Sequence, residues 1–266
     1  MKWDYPQILE IFSEKDNYRL FGESMHGLER ECLRMDHEGM ISLRPHPESL
    51  GSALKNPIIT TDFSEAQLEL ISPPSSTEGA TAEYLKNVHV FMAQNLDHEL
   101  FWPFSMPCRL PKDADKIPLA NYGNSFDGKK KMQYRLGLSK RYGRKMQTIS
   151  GTHYNFSFSE NFWQFLYEKS GSNMRQSRIS NLQNFISEKY LHIVRNFLRY
   201  SWINTYLFGA APVIDKSYLE RQPIFIFRKP KYLKKLDGDS YYGEFACSFR
   251  MSELGYYSKV QTQHAV

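Results

Sequence analysis

The strongest constraint on this chain is a period-two alternation that recurs in three short segments far apart in sequence. Leu28, Arg30 and Cys32 alternate with Glu29, Glu31 and Leu33; Leu68 and Leu70 alternate with Gln67, Glu69 and Ile71; and Tyr154, Phe156 and Phe158 alternate with His153, Asn155, Ser157 and Ser159. Successive side chains on a strand point to opposite faces, so each segment reads as a strand that sorts its residues onto two different surfaces. In the third segment the aromatic face is expected to pack on helices and the polar face to look into a cavity.

Between the strands lie helical patterns. Ile8, Leu9 and Phe12 recur at helical spacing near the start, and Leu85, Val88, Met92 and Leu96 do so after a start signal at Ser75, Ser76, Thr77 and Glu78. A longer candidate runs from about 176 to 208, with Ile179, Leu182, Ile186, Ile193, Phe197 and Leu198 as a buried stripe and Gly209 as its stop. Strands and helices do not alternate regularly, and no GxGxxG or GxxxxGK[ST] loop is present. The expectation is an α+β protein with a largely antiparallel sheet flanked by helices. With no internal repeat or low-complexity tract, residues 1–266 read as a single domain.

Glu29 and Glu31 lie two residues apart, so on a strand they share a face with side chains roughly 6 to 7 Å apart. Two ionised carboxylates that close repel. On a buried face one must take a proton or a cation must neutralise the pair, and magnesium suits oxygen ligands where phosphates are also present. On the wet face of an edge strand neither is needed, and both readings stay open from this segment alone. Glu69 interrupts an otherwise apolar strand, where a solvated carboxylate is out of place. Asp62 follows two threonines in what reads as a strand-end loop. Four acids and His153 therefore stand on or beside strands from which they can converge on one sheet face.

The net charge of +5 is uneven: residues 128–145 carry Lys129, Lys130, Lys131, Arg135, Lys140, Arg141, Arg144 and Lys145 without an acid. Such a segment can bind nucleic acid, cradle a phosphorylated small molecule, or form a solvated face. No RRM, KH or helix-turn-helix signature accompanies it, so no nucleic-acid partner is expected. A composition of 41% hydrophobic and 24% charged residues excludes a disordered chain. No apolar run reaches the length of about 18 residues that a membrane helix needs, and the opening MKWDYPQILEIFSEKD carries acids where a secretory signal requires an apolar stretch. A cytoplasmic protein without a membrane partner is expected. Cys32, Cys108 and Cys247 form no CxxC spacing and read as reduced thiols. Alternation turns Cys32 away from Glu29 and Glu31, so a buried, inert thiol is expected there.

Eight blocks, in order, resemble the amino-terminal part of the bacterial glutamate-cysteine ligase family. They are GLERECLRM (27–35), GSAL (51–54), ITTDFSEAQLELIS (59–72), WPFSMPC (102–108), YRLGLSKRYG (134–143), MQTISGTHYNFS (146–157), YLFGAAPVI (206–214) and FRMSELGY (249–256). The resemblance implies a fold related to that of glutamine synthetase, and ligation of the L-glutamate γ-carboxyl to the L-cysteine amine, the first step of glutathione biosynthesis. It implies ATP as co-substrate and Mg2+ or Mn2+ as cofactor, with γ-glutamyl phosphate as the intermediate. By the same resemblance Glu29, Glu31, Asp62, Glu69 and His153 fall on metal-site positions. Tyr134, Leu138, Gln147, Asn155, Arg250 and Tyr256 fall around the amino-acid substrates, and Arg135 and Arg250 take the catalytic anion-binding roles. Members of the family continue for about as many residues again beyond FRMSELGY, whereas this chain stops at Val266. The fold is accordingly expected to be incomplete at the C-terminus. The remaining metal ligands and much of the ATP wall would then lie elsewhere, with a separate chain as a candidate partner and a non-catalytic half-enzyme as the alternative.

Overall fold

In a computed structural model the chain is described over residues 5–170, 181–208, 213–219, 234–235 and 240–242. Its centre is strand β1 (Met25–Met35), which is paired along both edges. On one side β1 runs antiparallel to β3 (Gln67–Ile71), and β3 in turn to β2 (Ile59–Thr61). On the other side its first half pairs with β5 (Thr152–Ser157) and its end with β4 (Leu100–Trp102). All these pairings are antiparallel, as expected. Residues 213–215, 234–235 and 240–242 form a separate three-stranded sheet, also antiparallel.

The face of the sheet that carries Cys32, Leu68 and Leu70 is covered by helix α3 (Glu78–Asn95) through Leu85, Val88 and Met92, at the spacing the sequence displays. Thr77 is its N-cap. Helices α1 (Tyr5–Ser13) and α2 (Lys15–Gly22) join α5 (Glu160–Lys169) and α6 (Leu182–Tyr200) around an aromatic cluster. There Phe158 stacks on Phe162 at 4.2 Å between centroids and Phe12 stacks on the same ring at 5.8 Å.

Two expectations need correction. The long helix begins at Leu182, where the Asn181 side chain accepts a hydrogen bond from the Asn184 amide, and breaks at Ser201 before α7 (Trp202–Phe208). Its stripe is buried only at the start: Phe185 is buried with Leu182 and Ile186 packed beside it, whereas Ile193, Phe197 and Leu198 are exposed. Ile179 and Gly209 lie outside the described residues. The aromatic face of β5 is likewise only partly covered. Phe158 joins the helical cluster, but Tyr154 and Phe156 stay exposed. Amphipathic spacing specifies which side of an element is apolar; whether anything lies over that side depends on elements distant in sequence.

The basic segment forms α4 (Phe126–Tyr142), capped at its start by the Ser125 hydroxyl and stopped at Gly143, whose φ of 81° suits glycine. Gly128 lies directly on the backbone of the preceding loop. A Cβ there would meet Gly123 O at 2.9 Å and Tyr122 O closer still. At the other end of β1, the fully buried Arg34 pairs with the buried Glu99 and donates to the carbonyls of Arg44, Pro45 and Glu65.

Gly128→Ala should lower the melting temperature, because the clash outweighs the roughly 1 kcal/mol that alanine otherwise gains in a helix. Arg34→Ala should cost about 3 to 5 kcal/mol in urea denaturation, since it strands a buried carboxylate and three carbonyls; a loss under about 1 kcal/mol would contradict the role assigned to this pair.

Candidate active site

The antiparallel register builds the site. Glu31 stands directly opposite Glu69 on β3, Glu29 opposite His153 on β5, and Gly27 opposite Asn155. Residues directly across an antiparallel ladder share a face, so Glu29, Glu31, Glu69, His153 and Asn155 all project to the side away from α3. Thr60 pairs with Glu69, and Asp62 follows two residues later just past the end of β2, beside the same surface. Because β1 is central, the edge-strand reading of its two glutamates does not apply.

Each acid has its own environment. One oxygen of Glu29 lies 3.2 Å from His153 Nδ1 and the other accepts from Asn155 Nδ2 at 2.8 Å. The histidine contact holds the Glu29 carboxyl below its usual range, and the same contact raises the His153 imidazole. Glu31 accepts the Gly151 amide at 2.8 Å and lies 3.4 Å from Gln67 Nε2. Its burial, and next the charge of Asp62, push its carboxyl up to about 7. Glu69 is pushed up to about 7 by burial and by the charges of Asp62 and Glu29. Two carboxyls that resist ionisation at neutral pH mark a surface with an excess of negative charge.

Helix α4 brings a cation to it. Arg135 donates through Nε to the Asp62 carbonyl, places Nη2 4.0 Å from the Asp62 carboxylate, and stacks its guanidinium 4.7 Å over the Tyr122 ring. Of the other basic residues, Lys145 is buried and donates to Ser217 O at 2.6 Å, while Arg144 donates to the carbonyls of Asp115 and Ile117. The segment is thus neither a uniform solvated face nor a single anion cradle. Tyr134 and Leu138 lie one turn apart on α4, and Gln147 sits half-buried in the short turn Met146–Thr148 that leads to β5. Arg250 and Tyr256 lie outside the described residues, as does Cys247.

Among the described residues the polar face of β5 is left open rather than enclosed in the expected cavity. Among the described residues β5 pairs with β1 alone, and the His153 side chain remains 55% exposed. The expected metal set is a shared face rather than a closed coordination shell: among the described residues no three His, Cys, Asp or Glu side chains are grouped to hold an ion. The reason is local, since Glu29 is turned onto His153 and Asn155, and Glu31 onto the Gly151 amide. By type the donors still fit a hard divalent cation, being carboxylate oxygens with one imidazole, and the raised carboxyls show what such a cation would relieve.

Sequence reasoning missed Gln67, Gly151 and Tyr122. Gln67 was legible, because alternation places it on the face of Glu69; the other two act through spatial neighbours that no local pattern reveals. Glu65, in the same motif as Asp62 and Glu69, serves the scaffold. It is buried and accepts the backbone amides of His46 and Asn121. Cys32 is buried on the opposite face with its thiol pushed up to about 12 by burial, which keeps it inert as expected; Cys108 is buried and free as well. Among the described residues no helix is long and apolar enough to cross a membrane.

The mixed fold of helices and antiparallel sheet is similar to ligase and synthetase structures. A glutamate-cysteine ligase from Francisella tularensis, solved in complex with AMP, superposes with a TM-score of 0.72 at 36% identity, over 86% of this chain and 42% of that one. A bifunctional glutathione synthetase from Pasteurella multocida gives 0.67 at 33% identity, over 84% of this chain and 26% of that one. The profile of the glutamate-cysteine ligase family matches residues 9–266, and the chain belongs to that family. A glutamate-cysteine ligase from Azotobacter vinelandii is 46% identical over 257 residues, 97% of this chain and 46% of that protein. One from Pseudomonas putida KT2440 is 45% identical over 92% of this chain and 44% of its own length. The chain thus spans about half the length of these curated relatives.

Glu31 and Glu69 titrate near 7 in the fold against an ordinary 4.5, so between those values the folded chain holds more protons than the unfolded one. Stability should therefore fall as pH rises from about 5 to 8 without divalent cations, and the raised His153 acts in the same sense. Thermal melts should show this slope, and Glu69→Gln should flatten it; a wild-type melting temperature that rises over this range would refute the acid cluster as described.

Proposed function

We propose that this chain forms the metal-binding and amino-acid-binding wall of a glutamate-cysteine ligase active site. The single observation that supports this most is the register that sets Glu29, Glu31, Glu69 and His153 on one sheet face, with Asp62 and Arg135 at its border. In this reading residues 1–266 act as one unit of a glutamine synthetase-like catalytic domain, in the cytoplasm. Glu29, Glu31, Asp62, Glu69 and His153 hold Mg2+ or Mn2+, which would offset the charge of transferring phosphate. Asn155, Tyr134, Leu138 and Gln147 line the side where L-glutamate and L-cysteine bind, together with Arg250 and Tyr256.

The chemistry needs a positively framed acid site. A carboxylate is a poor electrophile, so the γ-carboxylate oxygen of glutamate first takes the γ-phosphoryl group of ATP, releasing ADP. The cysteine amine then attacks the γ-carbonyl carbon, the C–O bond to phosphate breaks so that inorganic phosphate leaves, and the amine nitrogen gives up a proton to solvent or a basic side chain. Arg135 is suited to the anion in either step, because its planar fork donates two parallel hydrogen bonds to phosphate or carboxylate. Glu29 orients His153 and Asn155 and is oriented by them in return. The AMP bound by the Francisella relative supports a nucleotide as co-substrate.

A second reading is favoured by one fact, the share of about half of each relative's length that the chain spans. In it the chain binds the amino acid without turnover.

Calorimetric titration of the chain with Mg2+ should detect binding that Glu29→Gln weakens by at least about tenfold, the scale of loss when even a supporting partner of a metal ligand is removed. Unchanged affinity in that variant removes Glu29 from the site. ADP release that requires both glutamate and cysteine supports the first reading; glutamate binding without ADP release supports the second; no binding of Mg2+, glutamate or ATP sinks both.

A further inference from the structure

Two cations on one face of α4 converge on a single aromatic ring, and a glycine on the same face meets the backbone of that aromatic residue. Gly128, Lys131 and Arg135 follow one another at spacings of three and four, so they form one stripe of the helix. Gly128 seats the helix on the Tyr122 backbone, Lys131 Nζ lies 5.1 Å from the Tyr122 ring centroid, and the Arg135 guanidinium lies 4.7 Å from it. Tyr122 is 5% exposed, and its hydroxyl donates to Thr61 O at 2.6 Å and lies 3.1 Å from Asp62 O. Arg135 Nε donates to that same Asp62 carbonyl. One residue therefore touches both the guanidinium and the backbone oxygen that the guanidinium grips.

We infer that Tyr122 is the positioning residue for Arg135. Its ring is the platform that holds the guanidinium at the border of the acid face, and its hydroxyl fixes the Asp62 carbonyl against which Arg135 is registered. Arginine on an aromatic face is held flat by the ring quadrupole, and this attraction strengthens where water is excluded, as it is around a side chain only 12% exposed. A long side chain fixed from two directions can present its fork to an anionic substrate group, phosphoryl or carboxylate, in one orientation. This inference rests on the anion-binding role proposed above for Arg135, and its geometry can be tested apart from that role.

In NMR spectra of the full chain the Arg135 Nε–H signal, assigned by its loss in Arg135→Lys, should be displaced by the Tyr122 ring current and protected from exchange. Tyr122→Phe, which keeps the ring, should retain the displacement, and Tyr122→Leu should abolish it. An undisplaced signal in the wild type, which decides the matter even if the Leu variant fails to fold, would overturn the platform. So would a displacement that survives in Tyr122→Leu. In calorimetric titrations with Mg·ATP and with L-glutamate, whichever ligand Arg135→Ala weakens should lose about tenfold in Tyr122→Leu and under about threefold in Tyr122→Phe. The double variant Tyr122→Leu/Arg135→Ala should bind no more weakly than Arg135→Ala alone, because the tyrosine acts through the arginine. Losses that add independently refute the inference. A wild-type chain that binds neither ligand, or an Arg135→Ala variant that binds both normally, refutes the anion-binding role of Arg135 and leaves the spectra to judge the platform.

Discussion

The structure depends on how β1 is registered against its two neighbours. Glu31 faces Glu69 across one ladder and Glu29 faces His153 across the other, so a strand with two acids on one side is flanked by a third acid on its left and an imidazole on its right. A slip of one residue in either ladder would send the facing side chains into the hydrophobic layer under α3. The apolar residues on the reverse face, Cys32, Leu68 and Leu70, prevent that slip because each is buried against Leu85, Val88 and Met92. Core packing on one side of the sheet thereby holds like charges together on the other.

That arrangement is unfavourable in isolation, and the chain offsets it with several contacts. The Gly151 amide and Gln67 reach Glu31, His153 and Asn155 reach Glu29, and Arg135 reaches Asp62 from α4. These contacts leave Glu31 and Glu69 near 7, still far from an ordinary carboxyl. A face held in that condition has a standing affinity for positive charge, which is the property that metal-assisted phosphoryl chemistry exploits. The function proposed above draws on both this charge and the family membership.

Segments legible in the sequence were those whose signal is local. Alternation sorted Glu29 from Arg30 and Glu69 from Leu70, helical spacing found Leu85, Val88 and Met92, and ordered motifs identified the family. Less legible was everything that depends on a neighbour distant in sequence. Glu65 looks like Glu69 in the same motif, yet it binds two loop amides. Lys145 and Arg144 look like solvated charges beside Lys140, yet their side chains fasten loops to one another. In α6 the stripe that begins at Leu182 and Phe185 continues to Phe197 with unbroken spacing, but only its first turns meet the aromatic cluster.

By itself the sequence determined the partition of side chains between two faces of each strand, because the pleat has a period of two wherever the strand lies. It also determined the family, because ordered motifs carry that information without coordinates. Only the tertiary structure decided which strands stand side by side, and hence that Glu31 meets Glu69, that His153 engages Glu29, and that Arg135 lies on Tyr122. The physical reason is that pairing register and cross-chain contacts arise from closing long loops around a common core, and no local pattern of residues encodes which loop closes against which.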